Sequence, residues 1–207
     1  MARVSGEFLK QYPLYKVEEL KDPVVFVVDM VNGFVKEGAL HDTAIHEITP
    51  SILSFVEECA CRTIFVADAH PLHAREFASF PAHCVEGTSE SEVIDELRPY
   101  IHELFHKNST NTFHCPGFQE FLKDIRQYKD IVITGCCSDI CIMQFALTLQ
   151  SWLNEHDCSS MKIIVPIDMI ETYHIEGIHD AAAENEFSIR NMAASGIQIV
   201  QTVEGRR

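Results

Sequence analysis

Four runs along the chain are almost continuously apolar and rich in β-branched residues: Val24 to Asp29, Thr63 to Asp68, Asp130 to Gly135 and Met161 to Pro166. Strands covered on both faces of a parallel sheet read this way, because neither face meets water. Ile101 to His106 and Ile197 to Gln201 are weaker runs of the same kind. Between them the apolar positions take up helical spacing. Thr49 before Pro50 predicts an N-cap and a proline-opened helix to about Cys61. Ser89 with Glu92 predicts a capping box ahead of Val93, Ile94 and Leu97. Pro116 opens a helix through Phe118, Phe121, Leu122 and Ile125. Ser138 is expected to cap a long helix with Ile142, Phe145, Leu149, Trp152 and Leu153 on its apolar side. The last helix is expected from about Ile175 to Ala194, ending near Gly196.

Strand and helix alternating six times predict an α/β fold, a three-layer α/β/α sandwich around a six-stranded, mainly parallel sheet. Residues 23–207 are expected to form one domain, with residues 1–22 as an N-terminal extension. Sheets of this kind bind ligands at the carboxyl ends of their strands, where the strand order reverses.

Charge narrows the partners. Sixteen basic against thirty-one acidic side chains give a formal net charge of −15, which repels nucleic acid and anionic membranes. A small-molecule ligand fits the balance, and the oligomeric state is left open, a homo-oligomer included. No apolar run approaches the roughly 20 residues of a membrane span, and the first residues lack the apolar stretch of a signal peptide. The expected location is cytoplasmic, where the eight cysteines act as buried apolar groups or reactive thiols rather than disulfides. Cys136, Cys137 and Cys141 lack the paired spacing of a zinc module.

The strand ends carry the residues with chemistry. Cys141 falls in the first turn of a helix, where unpaired N–H groups stabilise a thiolate; its bland alternative is a cysteine filling a gap in the core. Asp29 ends an apolar strand, where a carboxylate needs a partner. Beside Lys107 it is a structural ion pair; beside a thiol it is a general base. Asp68 and His70 share a side if the strand persists, and His83 returns after a Pro-flanked loop. One carboxylate and two imidazoles suit zinc, iron or manganese, with Glu76 as a fourth donor and His73 as a competitor.

Four motifs, in order, connect these residues: DMVNGF from Asp29 with EGAL from Glu37, DAHPLH from Asp68 running on through SFPAHCVEGT, KNSTNTF from Lys107, and TGCCSDICI from Thr134. From about Val24 to Val200 the chain resembles the nicotinamidase branch of the isochorismatase-like cysteine hydrolases. The resemblance implies Asp29 as base, Lys107 as the triad lysine and Cys141 as nucleophile, with backbone N–H groups of Cys137 and Cys141 as the oxyanion hole. It implies a cis peptide between Cys136 and Cys137. It implies one divalent transition metal, zinc first with manganese or iron as alternatives, on Asp68, His70 and His83, with Glu76 at the place of a further ligand. Phe34, Phe80 and Phe113 would line an aromatic substrate pocket. Val31, Gly33, Ala69 and Thr110 depart from the residues common in relatives; Thr110 stands where several nicotinamidases carry an aromatic ring.

The activity implied is hydrolysis of nicotinamide to nicotinate and ammonia through a cysteine thioester. Another small amide or carbamoyl substrate on the same scaffold is the near alternative. A catalytically silent metal-binding or interaction protein is the distant one, and it would be expected to have lost a triad residue.

Overall fold

A computed structural model describes residues 2–205. All six expected strands form, here labelled β1 (Val24–Val28), β2 (Arg62–Asp68), β3 (Glu103–Lys107), β4 (Asp130–Cys136), β5 (Lys162–Pro166) and β6 (Gln198–Val200). They pair in parallel in the order β3-β2-β1-β4-β5-β6. A two-residue strand, Ile170–Glu171, pairs with the end of β4 as a seventh member. Tyr15–Lys16 and Val203–Glu204 form a separate small parallel pair.

Alternation along β1 shows why the runs are apolar throughout. Val24, Phe26 and Val28 enter one core and Val25 and Val27 the other. The first core is closed by three helices, α2 (Pro116–Phe121), α3 (Met143–Glu155) and α4 (Ala181–Ala194), through Phe118, Phe145, Leu149, Ile189 and Met192. The second is closed by α1 (Thr49–Cys59), through Ile52 and Phe55. The result is a three-layer α/β/α sandwich. Phe26 anchors the first core, with the rings of Phe118, Phe121 and Phe145 at 5.3–5.6 Å.

Residues 2–22 lie against this domain: Ala2 and Phe8 are buried in the first core, and Arg3 pairs with Asp42 at 2.9 Å and with Glu171 at 3.5 Å. Among the described residues no helix is long and apolar enough to cross a membrane.

Four local expectations change. Thr49 is the first helical residue rather than the cap, because the turn Thr43–His46 leads directly into α1 and Ile48 already accepts from Ile52 N–H. Ser89 and Glu92 form a 3-10 turn, not a capped helix; Val93 bridges to Val31 and Ile94 N–H bonds Met30, which draws the backbone away from helix. Ser138 makes no cap bond, since its hydroxyl donates to Asn185 Oδ1 at 2.5 Å; the helix instead begins with a π turn, Ser138–Ile142. The last helix begins only at Ala181, capped by Asp180, because Ile175 and His179 close a tight turn with two backbone bonds.

Candidate active site

The strand order reverses between β1 and β4, and the site lies at their carboxyl ends. Gly135 makes the approach of these two strands workable. Its φ is +110° and a Cβ there would stand 1.9 Å from Val28 O, so only glycine fits. The next peptide, Cys136–Cys137, is cis. Asp29 follows β1 with φ +54°, a left-handed turn that directs its carboxylate back to the sheet end, where Oδ1 accepts from Asp68 N–H at 3.0 Å.

Lys107 ends β3 in register with Asp68 of β2. Its ammonium is buried and lies 2.8 Å from Asp29 Oδ2, 2.5 Å from Asp68 Oδ1 and 3.7 Å from Cys141 Sγ. The Asp29 carboxylate and Cys141 Sγ are within 4.8 Å of each other. Burial pulls the Lys107 ammonium down, but the two carboxylates outweigh it and hold the pKa well above its ordinary value. Asp29 is pushed up to about 7, first by burial and then by Asp68, against the pull of Lys107. Burial also pushes the Cys141 thiol well up; Lys107 opposes this and Asp29 adds to it. Desolvation in this buried turn works against the thiolate stabilisation expected of a helix start. A raised carboxylate beside a raised thiol is a proton acceptor matched to its donor.

The π turn carrying Cys141 also arranges its backbone. Ile140 and Ile142 N–H groups both return to Cys137 O, at 3.2 and 3.0 Å, passing over the N–H of Cys141 between them. Cys137 and Cys141 thus lie together in one turn, with Cys137 O as its shared acceptor.

The second cluster is built by loop closure. His70 pairs with Val85, donating its N–H to Cys84 O at 3.0 Å and accepting from Glu86 at 2.8 Å. That bridge brings His83 back against His70, with ring centroids 4.7 Å apart. The outer nitrogens are fixed: His70 Nδ1 meets Asn108 Oδ1 at 2.9 Å and His83 Nδ1 meets Pro81 O at 2.8 Å. Both partners are acceptors, so each Nδ1 carries the proton and each Nε2 presents a lone pair. Those Nε2 atoms stand 3.6–3.9 Å from Asp68 and Glu76 oxygens, roughly the separation of neighbouring donors round one ion bonded at about 2.0–2.2 Å. His70 Nε2 is buried without a hydrogen-bond partner, a costly state that a cation would relieve. The donor set fits a divalent transition metal. His73 is exposed and outside this group.

Both clusters open onto a small cavity lined by Phe34, Leu40, Asp68, Glu76, Phe80, His83, Thr110, Cys137, Ile140, Cys141 and Tyr173. Phe34 and Phe80 stand where expected. Phe113 does not line it: its ring packs on Phe118 at 5.4 Å in the first core, because the turn Thr112–His114 rotates it inward. Leu40, Ile140 and Tyr173 were not legible as site residues. Leu40 could have been found as the last residue of EGAL and Ile140 from its place one residue before Cys141; Tyr173 carries no local signal.

A family model described as the isochorismatase domain matches residues 23–203. The chain is 29% identical over 188 residues to nicotinamidase 1 of Arabidopsis thaliana, covering 78% of this chain and 76% of that one. A solved pyrazinamidase of Pyrococcus horikoshii in complex with zinc superposes with a TM-score of 0.69 at 21% identity, over 87% of this chain and 99% of that one. The N-carbamoylsarcosine amidase of Thermoplasma acidophilum superposes at 0.70 with 21% identity, over 90% and 100% of the two chains. These two superpositions establish a shared fold.

Proposed function

The chain belongs to the isochorismatase family, and from that premise we propose that it is a cysteine amidohydrolase of the nicotinamidase branch, converting nicotinamide and water to nicotinate and ammonia. The observation that carries the reading is the meeting of Asp29, Lys107 and Cys141 with the Asp68–His70–His83 donor set, Glu76 standing 3.9 Å from both imidazoles, on one small, partly aromatic cavity. The similarity to a plant nicotinamidase supports the substrate.

The residues divide the reaction as follows. Asp29 takes the Cys141 thiol proton as Sγ attacks the amide carbon, and the Cys137 and Cys141 N–H groups receive the charge that develops on oxygen. Asp29 returns that proton to the amide nitrogen, ammonia departs, and a thioester joins Cys141 to the acyl group. Asp29 then takes a proton from water as the water attacks the thioester, and gives it back to the departing sulfur. Lys107 stays charged throughout, offsetting Asp29 and Asp68 where burial weakens solvent screening. Asp68, His70, His83 and Glu76 would hold the metal; bound there, it would accept the pyridine nitrogen and orient the ring.

The similarity to the N-carbamoylsarcosine amidase fold favours one second reading, a carbamoyl or other small amide as substrate with the same three catalytic residues. Ammonia release from nicotinamide, measured beside a panel of small amides and carbamoyl compounds, separates the two. Nicotinamide should lead the panel in kcat/KM. A carbamoyl compound leading it instead would overturn the proposed substrate and leave the triad chemistry in place.

A further inference from the structure

Tyr173 reaches the cavity by a route separate from the four sequence motifs. The strand Ile170–Glu171 pairs with Gly135 and Cys136 at the end of β4, and the chain leaving it places Tyr173 in the wall shared with Phe34, Phe80, Thr110 and Cys141. The ring is buried. Against it lies His179, stacked with centroids 4.2 Å apart and planes inclined by 23°. His179 is itself held at both ring nitrogens. Nδ1 meets the Tyr173 carbonyl at 2.8 Å and Nε2 meets Asp139 Oδ2 at 2.9 Å. With both ring nitrogens tethered, the imidazole is fixed in rotation as well as in place. The turn that carries His179 is closed by backbone bonds of 2.9 and 2.8 Å between Ile175 and His179.

Asp139 belongs to the π turn Ser138–Ile142 that carries Cys141. The aromatic wall and the nucleophile are therefore fastened to the same turn. Neither Asp139 nor His179 lines the cavity, so the pair performs no proton transfer on a substrate there; it holds a ring. A wall already fixed loses no side-chain freedom when a ligand arrives, and an aromatic surface favours a flat, aromatic ligand over a compact aliphatic one.

We propose that Tyr173 is a specificity-determining residue that contacts the planar ring of the substrate, and that His179 and Asp139 are positioning residues that fix it. The inference rests on the ring-amide reading above and adds a wall that the sequence motifs do not include.

Steady-state kinetics on nicotinamide, with protection of Cys141 from iodoacetamide by nicotinic acid, test it in the metal-loaded full chain. Tyr173→Leu keeps bulk without a ring. It should raise KM about tenfold or more with kcat within about threefold of wild type, the pattern of lost uniform binding. The nicotinic acid concentration giving half-protection should rise by a similar factor. Tyr173→Phe should recover both. Asp139→Asn and His179→Gln should raise KM in the same direction by less, roughly two- to fivefold. Tyr173→Met gives the same readout should the leucine variant not fold. A wild-type KM and wild-type protection in the leucine or methionine variant would overturn the inference, as would a fall in kcat alone. In either case normal turnover of nicotinamide by the unaltered enzyme leaves the proposed reaction standing. Unaltered enzyme that releases no ammonia from nicotinamide overturns that reaction and this inference together.

Discussion

The two polar clusters on the cavity share Asp68 and differ in what they lack. Around Lys107 the charges answer one another: an ammonium sits between two carboxylates at 2.8 and 2.5 Å, with the Cys141 sulfur 3.7 Å away. Around His70 and His83 every group facing inward is a donor of lone pairs, and one of them has no partner. A cluster complete in itself is suited to moving a proton. A cluster of lone pairs with their outer nitrogens anchored is suited to gripping a cation. Asp68 serves both, giving Oδ1 to Lys107 and facing the two imidazoles with both oxygens.

The sharpest break between the clusters is at the sulfur. Cys141→Ala should lower kcat by about four or more orders of magnitude, as removal of a nucleophile does, with the circular dichroism spectrum and metal content unchanged. Near-normal turnover would remove Cys141 from the reaction. Iodoacetamide should label Cys141 in unliganded enzyme, and more slowly in Asp29→Asn, which lacks the proton acceptor.

The proton acceptor and its counter-ion come next. Asp29→Asn should lower kcat by at least about a hundredfold, since it keeps the shape and loses the base. Lys107→Ala should do the same and also destabilise the fold by about 3–5 kcal/mol, because it leaves two buried carboxylates facing each other. Thermal melts separate the effects: Asp29→Asn should melt near wild type or above it. A Lys107→Ala protein that melts like wild type would contradict the ion-paired geometry.

The donor cluster should respond differently, through KM. Elemental analysis should find about one transition metal per chain, as one such donor set implies. His83→Ala, or chelation, should raise KM for nicotinamide by about tenfold or more while kcat falls much less. Benzamide, which has no ring nitrogen, should be a poor substrate of the loaded enzyme and should approach nicotinamide once the metal is removed. Equal rates on both amides with metal bound would show that the cluster does not read the ring nitrogen.

Much of this comparison is legible in the sequence. β1, β2, β4 and β5 announce themselves as unbroken apolar runs because both their faces are covered, and the charged residues at their ends stand out by contrast. Asp29, Lys107 and Cys141 come from three separate segments, and motif order assembled them correctly in one place. Misreadings came where a side chain's partner is distant in sequence. Ser138 has the composition of a cap, but its hydroxyl is taken by Asn185. Ser89 and Glu92 have the spacing of a capping box, but Val93 is drawn into a bridge with Val31. Phe113 shows that a motif gives a position without an orientation, since its ring turns into the core. Tyr173 was invisible because the strand that delivers it is two residues long and has no periodicity to detect.

The smallest effect tests whether the donor cluster is organised from outside as the geometry implies. Asn108 contributes nothing to the cavity lining, yet its Oδ1 accepts from His70 Nδ1 at 2.9 Å. That bond settles which nitrogen bears the proton and turns Nε2 towards Asp68 and Glu76. Asn108→Ala frees the ring to rotate and to exchange tautomers, so metal affinity should fall by about 10- to 100-fold, the usual cost of losing an outer partner of a ligating histidine. With metal in excess, KM and kcat should both return to within about twofold of wild type, since no group that touches the substrate has changed. Asn108→Asp keeps an acceptor in place and should bind metal at least as tightly as the unaltered chain. An alanine variant with unchanged metal affinity would mean that loop closure through Val85 alone orients His70. An alanine variant that stays impaired in excess metal would mean that Asn108 acts on the substrate, and the division between a proton-moving cluster and a cation-gripping one would have to be redrawn at this residue.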